Sequence, residues 1–296
     1  MATLNTSMLS IPGTSLGIIQ DAAAGTGILG QLSPEKPTLF GPVKGATFSG
    51  EVRAEIVGES EAKSANDLAL VPFSAEPVKF HLGVRTSDEF MWADEDYQMG
   101  IIDDLVAPAF GRGMGRAADL FAFHGINPKT GAVSAKATKY IAQTTKAVEM
   151  TGKPTEELIA AVGLAGPGHV NGVALDGGFA FSLAIDTYTD GRERNPGMGF
   201  GDVTNFKGLK AAKSTTVSGL PEIATDPKIA AFVGDWTQVR WGFQRNIPLE
   251  LIEFGDPDNT GRDLKGHNEI FLRSEVVIYV AIGDLTLFAK VHNLVA

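Results

Sequence analysis

The spacing of apolar residues changes character along the chain, and it begins with a stretch that has no regular period. The first forty residues scatter single apolar side chains among Gly, Ser, Thr, Pro and Ala, which favours neither helix nor strand. Residues 1–40 are therefore predicted to form an arm, either a disordered tail or an extended segment ordered on a neighbouring chain. The second interpretation is favoured because it would bury Ile11, Leu16, Ile18, Ile19, Ile28 and Leu29.

Residues 46–84 carry β-rich runs that predict a long β-hairpin. The outgoing run covers 47–57 and the returning one covers 68–73 and 78–84, with the polar sequence GESEAKSAND between them. A two-stranded hairpin of this length is only marginally stable alone in water, so it is expected to pack against another part of the protein or another chain. An ordinary hairpin at the edge of a domain sheet is the alternative interpretation.

A long spine helix is predicted after the hairpin. Thr86 and Glu89 have the spacing of a capping box, and apolar residues then recur every three or four positions over 99–125. Pro108 and the glycine-rich sequence GRGMG at 111–115 interrupt this pattern. We therefore expect a kink or a short break there.

Between about residues 132 and 233 the pattern predicts a compact module of alternating strands and helices. Its expected elements are a helix over 154–164, a strand over 170–175, a helix capped by Asp176 and running to about Thr187, a turn at Asp190-Gly191, and strands near 207–212 and 229–233.

Residues 238–292 are β-rich, with the loop GDPDNTGRDLKGHN between two halves. Because a sheet with one apolar face needs a helix to cover it, these strands are expected to pack on the spine helix. The α/β module is then inserted between two pieces of one discontinuous domain.

Composition removes several classes of protein. The chain has 25 basic and 35 acidic residues, a net charge of −10, which opposes a sequence-reading nucleic-acid binder. It contains no cysteine, so disulfides and thiolate metal sites are excluded. It also lacks an apolar run of the roughly 20 residues that a membrane helix needs, and no membrane association is predicted.

Candidate catalytic chemistry is sparse. The five histidines, which are His81, His124, His169, His267 and His292, stand far apart in sequence. No metal-binding and no cofactor-binding residues are therefore predicted. The GRGMGR sequence could suggest a phosphate loop, but it follows no strand and precedes no Lys-Ser or Lys-Thr. Arg112 and Arg116 are assigned instead to contacts between subunits.

The order of these parts resembles the major capsid proteins of tailed bacteriophages, which have the Hong Kong 97-like fold. Four segments carry the resemblance, in order, over roughly residues 40–292. They are GESEAKSANDLAL, similar to the hairpin region of that family with Ser60 in place of a glycine, KFHLGVRTSDEF at the entry to the helix, AAFVGDWTQVRWGFQRNIPLELIE, and the closing HNEIFLRSEVVIYVAIGDLTLFAKV.

The resemblance implies an α+β fold, Hong Kong 97-like, with an inserted axial α/β domain. The implied division is an N-terminal arm at 1–40, an extended β-hairpin loop at 41–84, a peripheral domain formed by 85–132 and 237–296 with the long spine helix, and an axial domain at 133–236.

The implied function is structural rather than enzymatic. Subunits of this family assemble as pentamers and hexamers into an icosahedral shell around double-stranded phage DNA, without sequence-specific binding. The resemblance places the chain in the virion, after assembly in the bacterial host cytoplasm. Portal and decoration proteins are implied partners, and because the chain begins almost directly with the arm, a separate scaffolding protein is expected.

Some relatives join their subunits covalently, and three residues here have the corresponding positions. Lys63 lies at the hairpin tip, and Asn268 and Glu275 are seven residues apart on the closing strand. Burial in the apolar run SEVVIYV is expected to raise the pKa of Glu275 and suit it to accept a proton from an amine. The favoured alternative is that Arg273 and Glu275 simply pair in charge.

Two further hypotheses come from other classes. An encapsulin-type nanocompartment shell uses the same fold to enclose cargo enzymes instead of DNA. A metabolic α/β enzyme would form a discrete oligomer with a deep pocket, although no motif in the chain supports it.

Overall fold

The computed structural model describes residues 27–49, 54–65, 69–92, 94, 100–201, 203–223 and 229–293. Over these ranges the α-helices are α1 (Ile28–Leu32), α2 (Ala107–His124), α3 (Pro154–Ala165) and α4 (Gly177–Ala184). The strands are β1 (Val43–Ser49), β2 (Ala69–Ala75), β3 (Val78–Ser87), β4 (Ala147–Glu149), β5 (Gly172–Leu175), β6 (Asn205–Phe206), β7 (Leu209–Lys213), β8 (Ile229–Gly234), β9 (Val239–Ile252), β10 (Glu269–Ile282) and β11 (Phe288–His292).

These strands form three sheets. β1 and β2 form an antiparallel pair, β3, β10 and β9 form an antiparallel sheet in that order, and a mixed six-stranded sheet has the order β4-β11-β8-β5-β7-β6. The mixed sheet carries α3 and α4 in one apolar core, while α2 packs against both β3 and β10. Of the closing strands, β10 therefore lies on the spine helix, as the sequence predicts.

The hairpin is present, but its returning strand is shorter than predicted. β1 pairs with β2 from Val43 opposite Ala75 to Ser49 opposite Ala69. The predicted continuation over 78–84 is wrong, because those residues belong to β3, which pairs with β10 from Val78 opposite Ile278 to Ser87 opposite Glu269. The strand that follows the hairpin thus belongs to the sheet that covers the spine helix.

The spine helix begins later than predicted. Thr86 lies in β3 opposite Ile270, so the predicted capping box at Thr86 is wrong, and a 3-10 turn follows at Asp88–Trp92. The helix proper is preceded by a π-helical turn at Ile102–Val106, with Pro108 in the first turn of α2. It ends where the predicted stop lies, at Gly125, whose φ of 68° is left-handed and whose N–H donates to the Phe121 carbonyl.

The predicted break at GRGMG is also wrong, because α2 runs through it without interruption. A Cβ on Gly113 would lie 2.8 Å from the side chain of Leu82 in β3. The missing side chain therefore lets the sheet approach the helix closely at this point, and the glycine serves packing rather than bending.

The inserted module follows its predicted local signals closely. α3 begins at Pro154, and the Asp176 carboxylate caps α4 by accepting a hydrogen bond from the Gly178 N–H at 2.9 Å. α4 ends at Ala184, about three residues before the predicted end. The chain also turns at Gly191, where φ is +81°.

One closing strand lies in a different sheet from the other two. β11 pairs with β8 and with β4 inside the six-stranded sheet, whereas β9 and β10 belong to the sheet on the spine helix. The prediction that all closing strands return to the peripheral part is therefore wrong for 288–292. The position of β11 is decided by its hydrogen bonding to β8. The local sequence pattern does not indicate which of the two sheets a strand will join.

The end of the arm is buried in its own chain. Ile28 and Leu29 are 1% and 2% exposed and lie in the core with Phe123 and Trp236, so their predicted burial on a neighbouring chain is wrong. The chain continues along β9, where the Trp241 indole N–H donates to the Ser33 carbonyl at 3.0 Å and the Lys36 N–H donates to the Trp241 carbonyl at 2.8 Å. Residues 28–36 are called the docked segment below. Ile11, Leu16, Ile18 and Ile19 lie outside the described residues.

Gly242→Ala is predicted to loosen the docked segment. A Cβ at Gly242 would meet the Lys36 backbone carbonyl far inside van der Waals contact, and backbone yields less readily than a side-chain tip. We expect a loss of about 1–3 kcal/mol in the free energy of unfolding, typical of overpacking, measured by urea denaturation. Gly163→Ala is the matched control, because open space surrounds that helical position. It should instead gain about 0.5–1 kcal/mol, and equal effects of the two variants would contradict the assignment.

Candidate functional site

The predicted lysine at the hairpin tip is exposed to solvent. Lys63 lies in the segment 54–65, in which all residues except Val57 are exposed. The segment is held by local hydrogen bonds from the Gly58 N–H to Glu61 at 2.8 Å and from the Ser64 N–H to Glu55 at 3.0 Å. Its apolar residue Ile56 is 99% exposed.

The two predicted partners of Lys63 are far apart along the chain direction of β10, one just before the strand and one within it. Asn268 is exposed and left-handed (φ 54°) just before β10, and its carbonyl accepts the Asp88 N–H at 2.7 Å. Glu275 lies within β10 opposite His81 of β3. At a rise of about 3.3 Å per residue, seven residues separate the two side chains by on the order of 20 Å. One chain therefore does not bring Asn268 and Glu275 together.

The electrostatics of Glu275 differ from the prediction. Its carboxylate forms an ion pair with the Lys79 Nζ at 2.6 Å, and this contact lowers the pKa of Glu275 instead of raising it. The side chain is only 12% exposed, and burial alone would raise its pKa. The hydrogen bond and positive charge of Lys79 lower the pKa by more than desolvation raises it. The predicted pairing of Glu275 with Arg273 is also wrong as the main contact, because Arg273 binds Glu250 on β9 at 2.6 Å.

A cage of oxygen atoms around Arg85 is the most elaborate polar site on this sheet. The Arg85 Nη2 contacts Asp256 Oδ1 at 2.8 Å, Thr260 Oγ1 at 2.8 Å and the Arg262 carbonyl at 2.9 Å, and it also contacts Asp258. These groups all belong to the loop between β9 and β10. The guanidinium thus ties β3 to a loop that the sequence analysis treated only as a connection.

Charge explains why the cage is stable. Hydrogen bonding to Asp258 raises the pKa of Arg85, and the Arg85 guanidinium lowers the pKa of Asp258 well below its usual range. Glu269 joins the cluster through Arg85 Nη1 at 3.0 Å and Arg262 at 2.5 Å. The three carboxylates of Asp256, Asp258 and Glu269 therefore share the guanidinium groups of Arg85 and Arg262, whose positive charges offset the repulsion between the carboxylates.

Arg116, predicted to contact other subunits, is bound within its own chain. Its Nε and Nη2 donate to Glu222 at 2.7 and 2.5 Å, its Nη1 donates to Thr215 at 2.8 Å, and Nη2 also contacts the Leu220 carbonyl. The spine helix is thereby fixed to the segment that follows β7. Arg112, in contrast, is exposed and forms no ion pair with any residue that the structure describes.

A buried carboxylate on the same helix was missed by the sequence analysis. Asp119 is 0% exposed and accepts hydrogen bonds from the Ile28 and Leu29 N–H groups at 2.9 and 3.0 Å and from the Thr216 hydroxyl at 3.0 Å. It fixes the beginning of the docked segment on the spine helix. A single acidic residue inside the apolar run AADLFAFH is the signal that could have found it.

Exposed apolar side chains mark surfaces that this chain leaves uncovered. Phe181 and Phe200 stack on the outside of the six-stranded sheet's helical layer, with ring centroids 5.4 Å apart, and are 53% and 69% exposed. Ile185, the residue that follows the end of α4, is 52% exposed. Such contiguous apolar patches are typical of interaction surfaces.

The described ranges contain neither a cluster of metal-binding side chains nor a membrane-spanning helix. Within them, no three His, Asp or Glu side chains are grouped so that they could hold a metal ion. Helices long and apolar enough to cross a membrane are likewise not found among the residues that the structure covers.

Comparison with known proteins gives consistent structural relatives. No protein-family model and no curated protein sequence matches the chain. A solved structure from Mycobacterium phage Ogopogo is 41% identical, with a TM-score of 0.78 over 90% of this chain and 92% of that one. A structure from Gordonia phage Cozz is 26% identical, with a TM-score of 0.73 over 92% and 87% of the two chains. At 11% identity, the capsid of a native GTA particle computed with C5 symmetry shares the fold, with a TM-score of 0.62 over 92% and 90%.

Arg85→Ala is predicted to lower the melting temperature by several degrees. The substitution leaves three carboxylates close together without their central cation, and it unties β3 from the loop before β10. Differential scanning calorimetry should show a smaller loss for Arg85→Lys, because an ammonium group keeps the charge but not the planar fork. Arg112→Ala is the control and should melt like the unaltered protein. Equal melting temperatures for Arg85→Ala and Arg112→Ala would contradict a stabilising cage.

Proposed function

Because the chain belongs to the Hong Kong 97-like family of tailed-bacteriophage major capsid proteins, we propose that it assembles as pentamers and hexamers into an icosahedral shell around double-stranded phage DNA. Family membership makes it a structural shell protein and a component of the virion.

One observation of this chain carries the proposal. The hairpin tip at 54–65 is almost entirely exposed, while the base of the hairpin packs through Phe73 and Ala75 on Tyr279 and Ala281 of β10. A firmly seated base with a projecting, unpacked tip favours a tip that is covered by another copy, since an isolated two-stranded ribbon gains little stability in water. The Phe181–Phe200 patch supplies a second surface suited to such contacts.

The net charge of the chain supports a shell that does not bind the enclosed DNA tightly. With 25 basic against 35 acidic residues, the net charge of −10 repels a polyphosphate at long range. Multivalent contacts between many copies compensate for individually weak ones, so the closed shell is collectively stable. A separate scaffolding protein, a portal and decoration proteins, and assembly in the bacterial cytoplasm, are further parts of this proposal.

We further propose that the shell is held together without covalent cross-links, so that Lys63, Asn268 and Glu275 are not catalytic. The lowered pKa and the Lys79 ion pair make Glu275 a weak proton acceptor. Its distance along β10 from Asn268 also means that a cross-link would need Glu275 from a different copy.

Expression of the chain with a scaffolding protein is predicted to give closed, hollow particles, visible by negative-stain electron microscopy. Particles purified from infected cells should contain nuclease-protected double-stranded DNA. Protein cargo in place of DNA would favour the encapsulin-type alternative. A discrete small oligomer under all conditions, with no spheres, would contradict the shell assignment itself.

Purified shells boiled in sodium dodecyl sulphate are predicted to migrate as single subunits on a denaturing gel. Non-covalent contacts do not survive this treatment, whereas isopeptide bonds do. A ladder of higher bands that disappears in Lys63→Arg, and equally in Asn268→Ala, would contradict the non-covalent proposal. Lys79→Ala is an informative comparison, because it frees Glu275 from its ion pair without touching the other two residues.

A further inference from the structure

The loop between β9 and β10 contains the residue spacing of a calcium-binding loop. The sequence DPDNTGR at 256–262 has oxygen-bearing side chains at its first, third and fifth positions, namely Asp256, Asp258 and Thr260, and a glycine at its sixth. In calcium loops of the EF-hand type, side chains at these three positions and the backbone carbonyl of the seventh residue bind the ion. The sixth residue is glycine because the chain turns sharply there. The spacing alone therefore predicts four oxygen atoms that face one point.

The loop has the backbone conformation that this spacing requires. Asn259 and Gly261 are both left-handed, with φ of 54° and 78°. The Asp256 carboxylate accepts hydrogen bonds from the N–H groups of Thr260 at 3.1 Å and Gly261 at 2.6 Å. These bonds wrap the loop around its first carboxylate, so its conformation is set by its own residues.

The Arg85 guanidinium lies at the point where the four oxygens converge. Its Nη2 is 2.8 Å from both Asp256 Oδ1 and Thr260 Oγ1. It is 2.9 Å from the Arg262 carbonyl oxygen and also contacts Asp258 Oδ1. These contacts are the first, third, fifth and seventh positions of the loop. Because Arg85 belongs to β3, 171 positions before Asp256, the cation comes from another part of the fold.

From this geometry we propose that Arg85 takes the place of a divalent cation in a calcium-type loop, so that the subunit keeps this loop closed without a metal ion. The guanidinium is the resident cation, and calcium is the ion that the same oxygens would bind once the guanidinium is removed. This role belongs to the single subunit and does not depend on assembly into a shell.

The twelfth position of the loop explains why a guanidinium suits it. Calcium loops of this type have a glutamate there, which binds the ion through both carboxylate oxygens. Here the twelfth residue is His267, whose Nδ1 faces the Asp263 carbonyl at 2.8 Å. Glu269 lies two residues later and accepts a hydrogen bond from the Arg85 Nη1 at 3.0 Å. The planar guanidinium thus binds the loop with one nitrogen and Glu269 with another, which a single spherical ion does not do.

The contact distances show what a calcium ion would require. The oxygens around Nη2 lie at hydrogen-bond distances of 2.8–2.9 Å, whereas calcium binds oxygen at about 2.3–2.6 Å. Residues 258–262 are exposed, so a small contraction of the loop displaces no packed side chain. The loop can therefore close on calcium, but only after Arg85 has left the centre.

Arg85→Ala is predicted to convert the loop into a calcium site. Two carboxylates, a hydroxyl and a carbonyl carry little charge for a calcium site, so the Kd should be about 0.1–1 mM, measured by isothermal titration calorimetry. The melting temperature of Arg85→Ala should rise by several degrees in about 10 mM calcium chloride, roughly ten to a hundred times that Kd. Magnesium should raise it less, because magnesium needs shorter contacts and near-ideal octahedral geometry.

Two controls distinguish this site from general effects of calcium. The unaltered protein should melt at the same temperature in calcium and in EDTA, because Arg85 holds the oxygens. Arg85→Ala combined with Asp258→Asn should lose most of the calcium response, because one of the two charged ligands is gone. A response of the unaltered protein as large as that of Arg85→Ala, or no response in folded Arg85→Ala, would overturn the proposal.

Arg85→Gln is the second variant, used if Arg85→Ala does not fold. The glutamine amide can donate to the loop oxygens without metal, and its carbonyl oxygen can bind calcium. Its melting temperature should also rise in calcium, and a constant value would refute the role of Arg85. If neither variant folds in EDTA, recovery of folded protein after dilution from urea should be higher in calcium. Equal recovery in calcium and in EDTA would again contradict the proposal.

Discussion

The subunit depends on the pairing of β10 along both of its edges. Residues 269–278 pair with β3 on one side and residues 271–282 pair with β9 on the other, and the two faces of β10 pack against different parts of the chain. Val276, Ile278 and Val280 pack with the spine helix, while Tyr279 and Ala281 support the base of the hairpin. Because successive side chains of a strand point to opposite faces, a slip of one residue would expose both cores at once.

Local chemistry accounts for the elements that sequence reasoning found. Proline at the start of α3, the Asp176 cap of α4 and the left-handed Gly125 all act within a few residues of themselves, so their effects can be predicted from the chain alone. The misassigned strand at 78–87 shows the limit of this approach. Its β-rich pattern suits either the hairpin or the sheet, and only its pairing with residues nearly two hundred positions later decides between them.

The candidate site was harder to predict for the same reason. The pKa of Glu275 depends on Lys79 and the ionisation of Asp258 depends on Arg85, and both partners lie on a strand distant in sequence. Apolar neighbours in the sequence suggested desolvation, but the adjacent strand supplied a cation instead. Asp119 is the reverse case, since its apolar neighbours in the sequence do describe its surroundings. Two of its three hydrogen-bond partners are backbone N–H groups, which no residue type identifies in the sequence.

The docked segment protects a sheet edge within the subunit, whereas the hairpin offers a surface to other copies. The docked segment runs along β9 and covers that edge of the three-stranded sheet within the same chain, leaving β3 as the other edge. Edge strands invite pairing with other chains, and the exposed lysine Lys79 on β3 opposes indiscriminate association. The projecting hairpin tip carries no such internal cover. Contacts between copies are thereby directed to a few defined surfaces, which a closed lattice requires if each copy is to meet its neighbours in the same way.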